Sequence, residues 1–196
     1  MRLDVVVAGV GGQGVITLAT VLVRAALREG YDAHLLAQSG LSQLGAPVFA
    51  HVRVGTPAGP SPKIPLGGAD TVVGLERLEA LRLAPYLRRG GTAVLSNEPV
   101  RPYEARFRPH RYPARKDVEQ AFPGARVIWV PALELARRHG PPALVSAVML
   151  GALAGTTGVV ERENLVACLR EERPALADAE VEAFFEGFRA VTGRED

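Results

Sequence analysis

Residues 9–14 read Gly-Val-Gly-Gly-Gln-Gly, directly behind the apolar run Val5-Val6-Val7-Ala8. Four glycines in six residues at the exit of a β-rich segment suit a turn that wraps an anion. Glycine permits the tight turn and close backbone approach, and the helix that follows points its unbonded N–H groups at negative charge. Gly9, Gly11 and Gly14 satisfy G-x-G-x-x-G, and Gly12 adds one more. A dinucleotide site also needs an Asp or Glu at the carboxyl end of the second strand, to hold the ribose. That end reads Leu36-Ala37-Gln38-Ser39, while Asp32 precedes the strand and falls at the wrong edge of the sheet. The fingerprint is incomplete, which argues against NAD. Two readings stay open: an anion-facing turn working through backbone N–H groups, or a turn whose glycines serve packing alone.

Other reactive residue types are sparse. His34, His51, His110 and His139 lack metal-ligand spacing, so no metal site is expected. Ser39 and Ser42 are loop serines without a G-x-S-x-G elbow around them. Cys168 is the only cysteine, which excludes both a disulfide framework and an iron–sulfur cluster needing about four thiolates. It lies among Leu165, Val166 and Leu169 as an inert buried thiol, and cysteine usage fits a reducing cytoplasm. Residues 101–116 hold six Arg/Lys against Glu104, interleaved with Tyr103, Phe107 and Tyr112. The segment reads as a solvated or interface loop, with attraction for nucleic acid or for an anionic cofactor or protein as the other readings. A formal charge of +2 over the whole chain is too weak a field to argue for nucleic acid.

The elements around these residues follow from periodicity. Residues 3–8 read as a buried strand and 14–29 as a helix apolar on most sides, stopped by Gly30. Strands are expected at 32–37, 47–54, 71–75, 92–96 (after Gly90-Gly91) and 126–130, with a helix at 77–88. The loop SGLSQLGAP joins the second and third strands, and a Pro-rich surface loop spans 57–65. Helices are expected at about 132–139, 142–154, 161–172 and 178–191. The longest apolar stretch, Leu144 to Val160, is diluted by Ser146, three glycines and two threonines, and reads as a buried helix rather than a membrane span. No basic–apolar–cleavage pattern opens the sequence. An apolar fraction of 47% in 196 residues suits one globular domain, 1–196. Alternating strands and helices imply an α/β fold: a three-layer α/β/α sandwich with a Rossmann-like glycine turn and a mixed, mostly parallel sheet. Helices as apolar as 14–29 and 142–154 call for cover from another layer or another chain, hence a homodimer in isolation.

GVGGQG with its apolar helix, SGLSQLGAPVFAHVRVG, SPKIPLGGADTVVGLERLEALRLAPYLRRGGTAVLSN, RVIWVPALELARRHG and VMLGALAGTTGVV, in this order, resemble the gamma subunit of 2-oxoacid:ferredoxin oxidoreductases, indolepyruvate and pyruvate enzymes included. The resemblance runs from about residue 4 to 190. It implies oxidative decarboxylation of a 2-oxoacid with coenzyme A, giving acyl-CoA, CO2 and reduced ferredoxin. Thiamine diphosphate with Mg2+ and iron–sulfur clusters serve that chemistry on partner subunits, with no cofactor on this chain. The lone cysteine and the missing GDG…N thiamine motif agree. Gly9, Gly11, Gly12, Gln13 and Gly14 would form the anion-facing turn on the coenzyme A side, with Ser39, Ser42, Gln43 and Gly45 as the opposing wall and no catalytic residue. Leu44 and Ala46 stand where the family commonly has Arg and Gly, removing a bidentate donor. Ser146 stands where it often has Asn. The rival reading is a free-standing nucleotide-binding enzyme built on GVGGQG.

Overall fold

The computed structural model describes residues 2–39, 45–56, 61–97 and 112–193, with Ser39 described by its backbone alone. Six strands form one sheet: β1 (Leu3–Val10), β2 (Ala33–Ser39), β3 (Pro47–Val54), β4 (Ala69–Gly74), β5 (Leu87–Ser96) and β6 (Arg126–Val130). Its order is β2-β3-β1-β4-β5-β6, parallel from β1 through β4 and β5 to β6. Only β3 runs against its neighbours, antiparallel to both β1 and β2. The expected mixed, mostly parallel sheet is present.

Side chains alternate across a strand, so β1 divides into Leu3, Val5 and Val7 on one face and Val6 and Ala8 on the other. The first face carries α1 (Val15–Arg28), α4 (Ala132–Arg137), α5 (Val145–Thr157), α6 (Arg162–Glu172) and α7 (Ala177–Thr192). The second carries α2 (Arg77–Leu83) and α3 (Arg115–Gln120), packed over Val6, Val72, Ala93 and Leu95. This is the expected three-layer sandwich, with a much thicker first layer.

Every residue of α5 from Val145 to Ala154 is buried. The cover comes from this chain itself, chiefly α7, with α1, α4 and β5. The apolarity of 142–154 therefore needs no second copy. Gly151 and Gly187 make that cover possible: a Cβ on Gly151 would lie 1.8 Å from the Phe184 carbonyl oxygen, and one on Gly187 would lie 1.8 Å from that of Val148. The two backbones touch at this crossing.

Several boundaries differ from expectation for local reasons. Residues 77–88 give a seven-residue α2 and a 3-10 turn at Ala84–Tyr86, because Pro85 lacks an N–H and restricts the residue before it. Gly90 and Gly91 do not precede β5 but lie inside it, where its pairing with β4 jumps from Ala69↔Leu87 to Thr71↔Thr92. Gly90, at φ 69°, takes up that bulge. The short helix α3, which starts at the end of the basic segment and runs beyond it, was not expected, and residues 101–111 of that segment lie outside the described residues.

Candidate functional site

β1, β2, β4, β5 and β6 all end at one edge of the sheet, and the chain leaves β1 and β4 toward opposite faces, into α1 and α2. In an open α/β sheet this switch point opens a crevice beyond the strand ends. Its two walls are the turn 9–14 and the turn Leu75-Glu76.

The first wall is built largely from packing. A Cβ on Gly9 would meet Gln13 Oε1 and a Val15 methyl at 2.8 Å, and one on Gly14 would meet Ser146 Oγ at 2.5 Å. Gly12 and Gly14 adopt φ of 96° and 80°, open to glycine but strained for other residues. Gly14 is the N-cap of α1, whose first turn has neither a side-chain cap nor an acid. Such a helix start favours an anion.

Gln13 is buried and its side chain turns inward. Its Oε1 accepts the Val10 N–H at 2.9 Å and its Nε2 donates to the Leu75 carbonyl at 3.0 Å, tying both walls together. The Gln13 N–H donates to Val10 O. The Gly11 N–H donates to Ala46 O at 2.8 Å and the Gly11 carbonyl accepts from Gly45 at 3.3 Å, so the β1–β3 ladder runs on into the turn. An anion here would therefore meet the N–H groups of Gly12, Gly14, Val15 and Ile16. Among the expected site residues, the structure brings Gly45 against Gly11. It sets Ser39 at the end of β2, two strands from β1, while Ser42 and Gln43 lie outside the described residues, as does Leu44.

The strand order also bears on NAD. In a dinucleotide fold the strand carrying the ribose acid neighbours β1. Here β3 lies between, so the end of β2 is about 10 Å from that of β1, at two strand spacings. Even an acid at residue 38 or 39 would miss the ribose.

The second wall holds groups that sequence reasoning missed. Glu76 is fully buried at the N-cap of α2, where Oε2 accepts the Glu79 N–H at 2.9 Å and Oε1 accepts the Tyr112 hydroxyl at 2.5 Å. Burial is the largest influence on its pKa and holds it above the ordinary carboxylate range, against these hydrogen bonds. Arg77 Nη2 donates to Asn97 O at 2.7 Å, and its guanidinium lies 5.8 Å from the Tyr112 ring and 5.9 Å from that of Trp129. Arg115 sits 4.8 Å over the same indole, whose Nε1 donates to Glu119 at 2.7 Å. The readable signal was an acid directly after a buried strand, in Val73-Gly74-Leu75-Glu76. Only the tertiary fold brings Tyr112 onto it.

Among the described residues, the arrangement presents backbone N–H groups for binding. Both oxygens of Glu76 are engaged. His51 Nδ1 accepts the Ile64 N–H away from the crevice, and burial lowers its pKa. Cys168 is buried, which raises its thiol pKa. No group of His, Cys, Asp and Glu among the described residues could hold a metal ion. No described helix is long and apolar enough to cross a membrane.

This geometry has relatives. The chain is 33% identical to the indolepyruvate oxidoreductase subunit IorB of Archaeoglobus fulgidus, across 99% of this chain and 98% of that one. It superimposes on the gamma subunit of a keto/oxoacid ferredoxin oxidoreductase from Geobacter sulfurreducens with a TM-score of 0.74, at 19% identity over 98% and 99% of the two chains. The 2-oxoglutarate:ferredoxin oxidoreductase of Magnetococcus marinus, solved with 2-oxoglutarate, coenzyme A and succinyl-CoA bound, matches with a TM-score of 0.75 at 17% identity, over 98% of this chain and 31% of that longer one. The family of pyruvate ferredoxin/flavodoxin oxidoreductases matches residues 4–190. With the glycine turn, the inserted β3 and the two-walled crevice all inside that span, the chain belongs to the pyruvate ferredoxin/flavodoxin oxidoreductase family.

Proposed function

We propose that the whole chain, as one domain, is the gamma-type accessory subunit of a cytoplasmic 2-oxoacid:ferredoxin oxidoreductase of the indolepyruvate type. The observation that carries this reading is its end-to-end relationship with the indolepyruvate subunit. In such an enzyme thiamine diphosphate with Mg2+ supplies the carbanion chemistry and iron–sulfur clusters pass electrons to ferredoxin. Thiamine-binding and cluster-bearing partner subunits hold those groups, in keeping with one buried cysteine here. This chain adds a wall to the coenzyme A side: the N–H groups at Gly12, Gly14 and the first turn of α1 meet phosphate oxygens, with Gly45 beside them through its bond to the Gly11 carbonyl. Gln13 holds that wall rather than touching ligand through its side chain. In isolation the chain pairs with itself along α1. Ile16 and Leu27 are 44% and 53% exposed and stand about 20° apart around the helix at 100° per residue.

Co-expression with thiamine-binding and cluster-bearing subunits is expected to yield a complex that reduces ferredoxin or viologen with indolepyruvate and coenzyme A. The isolated chain is expected to be colourless, inactive, and silent to NADH up to about a millimolar, the weak end of useful affinity. Saturable NADH binding, or turnover by the chain alone, would replace this reading with a free-standing nucleotide-binding enzyme.

A further inference from the structure

At the opposite edge of the sheet, on its second face, a groove of about 460 Å3 opens between α2, the start of β5 and the segment after α3. Leu81, Leu87 and Phe122 form its apolar floor, with Pro85 and Pro123 among its walls. Leu66, 68% exposed, directly precedes Gly67, whose N–H donates to the carbonyl of the lining residue Pro85 at 2.9 Å. The rim is cationic. Arg88 Nε is held by Asp70 at 2.7 Å. Arg89, also in its lining, is exposed and forms no ion pair among the described residues.

We infer that this groove docks a partner protein chain through a segment bearing a leucine- or phenylalanine-sized side chain next to a carboxylate. An apolar floor offers no convergent donors to a small anion. A wholly apolar partner would strip water from the Arg89 guanidinium and leave it unpaired, which is costly. A carboxylate beside an apolar anchor satisfies both needs, since arginine matches a carboxylate bidentately. The groove lies at the end of the strands away from the glycine turn, so docking leaves the crevice open. The inference rests on the multi-subunit reading above and adds which surface of this chain the complex holds.

The test measures the affinity of this chain for the rest of the co-expressed complex, at low and high salt. Arg89→Glu is expected to weaken assembly at least tenfold and to reduce its salt dependence, and Leu66→Ser to weaken it further. Arg137→Glu, on α4 in the opposite layer, is expected to leave assembly unchanged. All are exposed or largely exposed positions, and unchanged circular dichroism and melting temperature will separate lost docking from misfolding. Equal assembly by the groove variants overturns the inference while leaving the subunit reading intact. Groove variants that alter only self-association of the isolated chain also overturn it, by assigning the groove to a second copy. A wild-type chain that never joins such partners removes the subunit reading and this inference together.

Discussion

Gly187→Ala tests the α5–α7 crossing, where helix propensity and packing predict opposite signs. Alanine in mid-helix gains about 1 kcal/mol over glycine. The new Cβ, however, lies 1.8 Å from Val148 O, 2.7 Å from Val148 C and 3.0 Å from Val148 Cα. A carbon and a carbonyl oxygen rest about 3.3 Å apart, so the helices must separate by roughly 1.5 Å. Backbone cannot swing aside as a side-chain tip can, which puts the strain at or above the upper end of the usual 1–3 kcal/mol, roughly 3 kcal/mol. The net is a loss of roughly 2 kcal/mol, or a fall in melting temperature of about 4–8 °C for a chain of this size. Gly155→Ala is the internal control. Its Cβ would meet the ends of the Val191 and Thr192 side chains at 2.8 and 2.9 Å, which can rotate, and the Phe188 carbonyl oxygen only at 3.2 Å, a few tenths of an ångström from ordinary contact. It should be within about 0.5 kcal/mol of wild type. The double variant Gly151→Ala/Gly187→Ala should lose less than the sum, because both methyl groups enter the same widened gap. Thermal and urea unfolding followed by circular dichroism read wild type, the three single variants Gly151→Ala, Gly155→Ala and Gly187→Ala, and the double variant. A Gly187→Ala chain as stable as wild type would refute the close crossing. The site should feel the shift too, since Ser146 at the start of α5 packs beneath Gly14, so complex activity should fall with stability.

Gly12→Val places a β-branched side chain at φ 96°, with a cost of about 1–3 kcal/mol; it should lower the urea midpoint and complex activity together, and wild-type values for both would make the turn an ordinary one. Glu76 supplies a pH signature. Because its folded pKa is raised, its contribution is fully present below the ordinary carboxylate value of about 4.3 and is lost as pH rises through the folded value. Glu76→Gln keeps an acceptor for Tyr112 but cannot ionise, so its urea midpoint should gain on wild type as pH rises through that window, and parallel profiles would contradict the assignment.

Strands at 47–54 and 126–130 were legible to the residue because their patterns match their burial. β3 is buried on both faces at Val48, Ala50, His51, Val52, Arg53 and Val54, and Arg126–Val130 is bounded by turn chemistry on both sides. What stayed hidden depended on pairing between distant segments. Nothing local shows that β3 enters between β1 and β2, yet that insertion moves the end of β2 away from the glycine turn. Glu76 reads as one more acid near a helix start until Tyr112, thirty-six residues on, closes over it at 2.5 Å. Gly151 and Gly187 read as helix weaknesses until each is seen against the other helix's carbonyl. The glycine motif was the clearest feature of the sequence. Its packing role was weighed from the start, but the inward turn of the Gln13 side chain required the Leu75 carbonyl to be in view.

The inserted strand also governs when the glycine turn can form. In a fold whose second strand neighbours the first, strand, turn, helix and strand close as one contiguous unit. Here the Gly11 amide waits for Ala46, and Gln13 waits for Leu75, sixty-two residues away. A motif of six consecutive residues is thus held by contacts of high sequence separation, and each long loop must close before its bond forms. The turn belongs to the late part of folding, and a fragment ending after β2 contains the whole motif without the contacts that shape it.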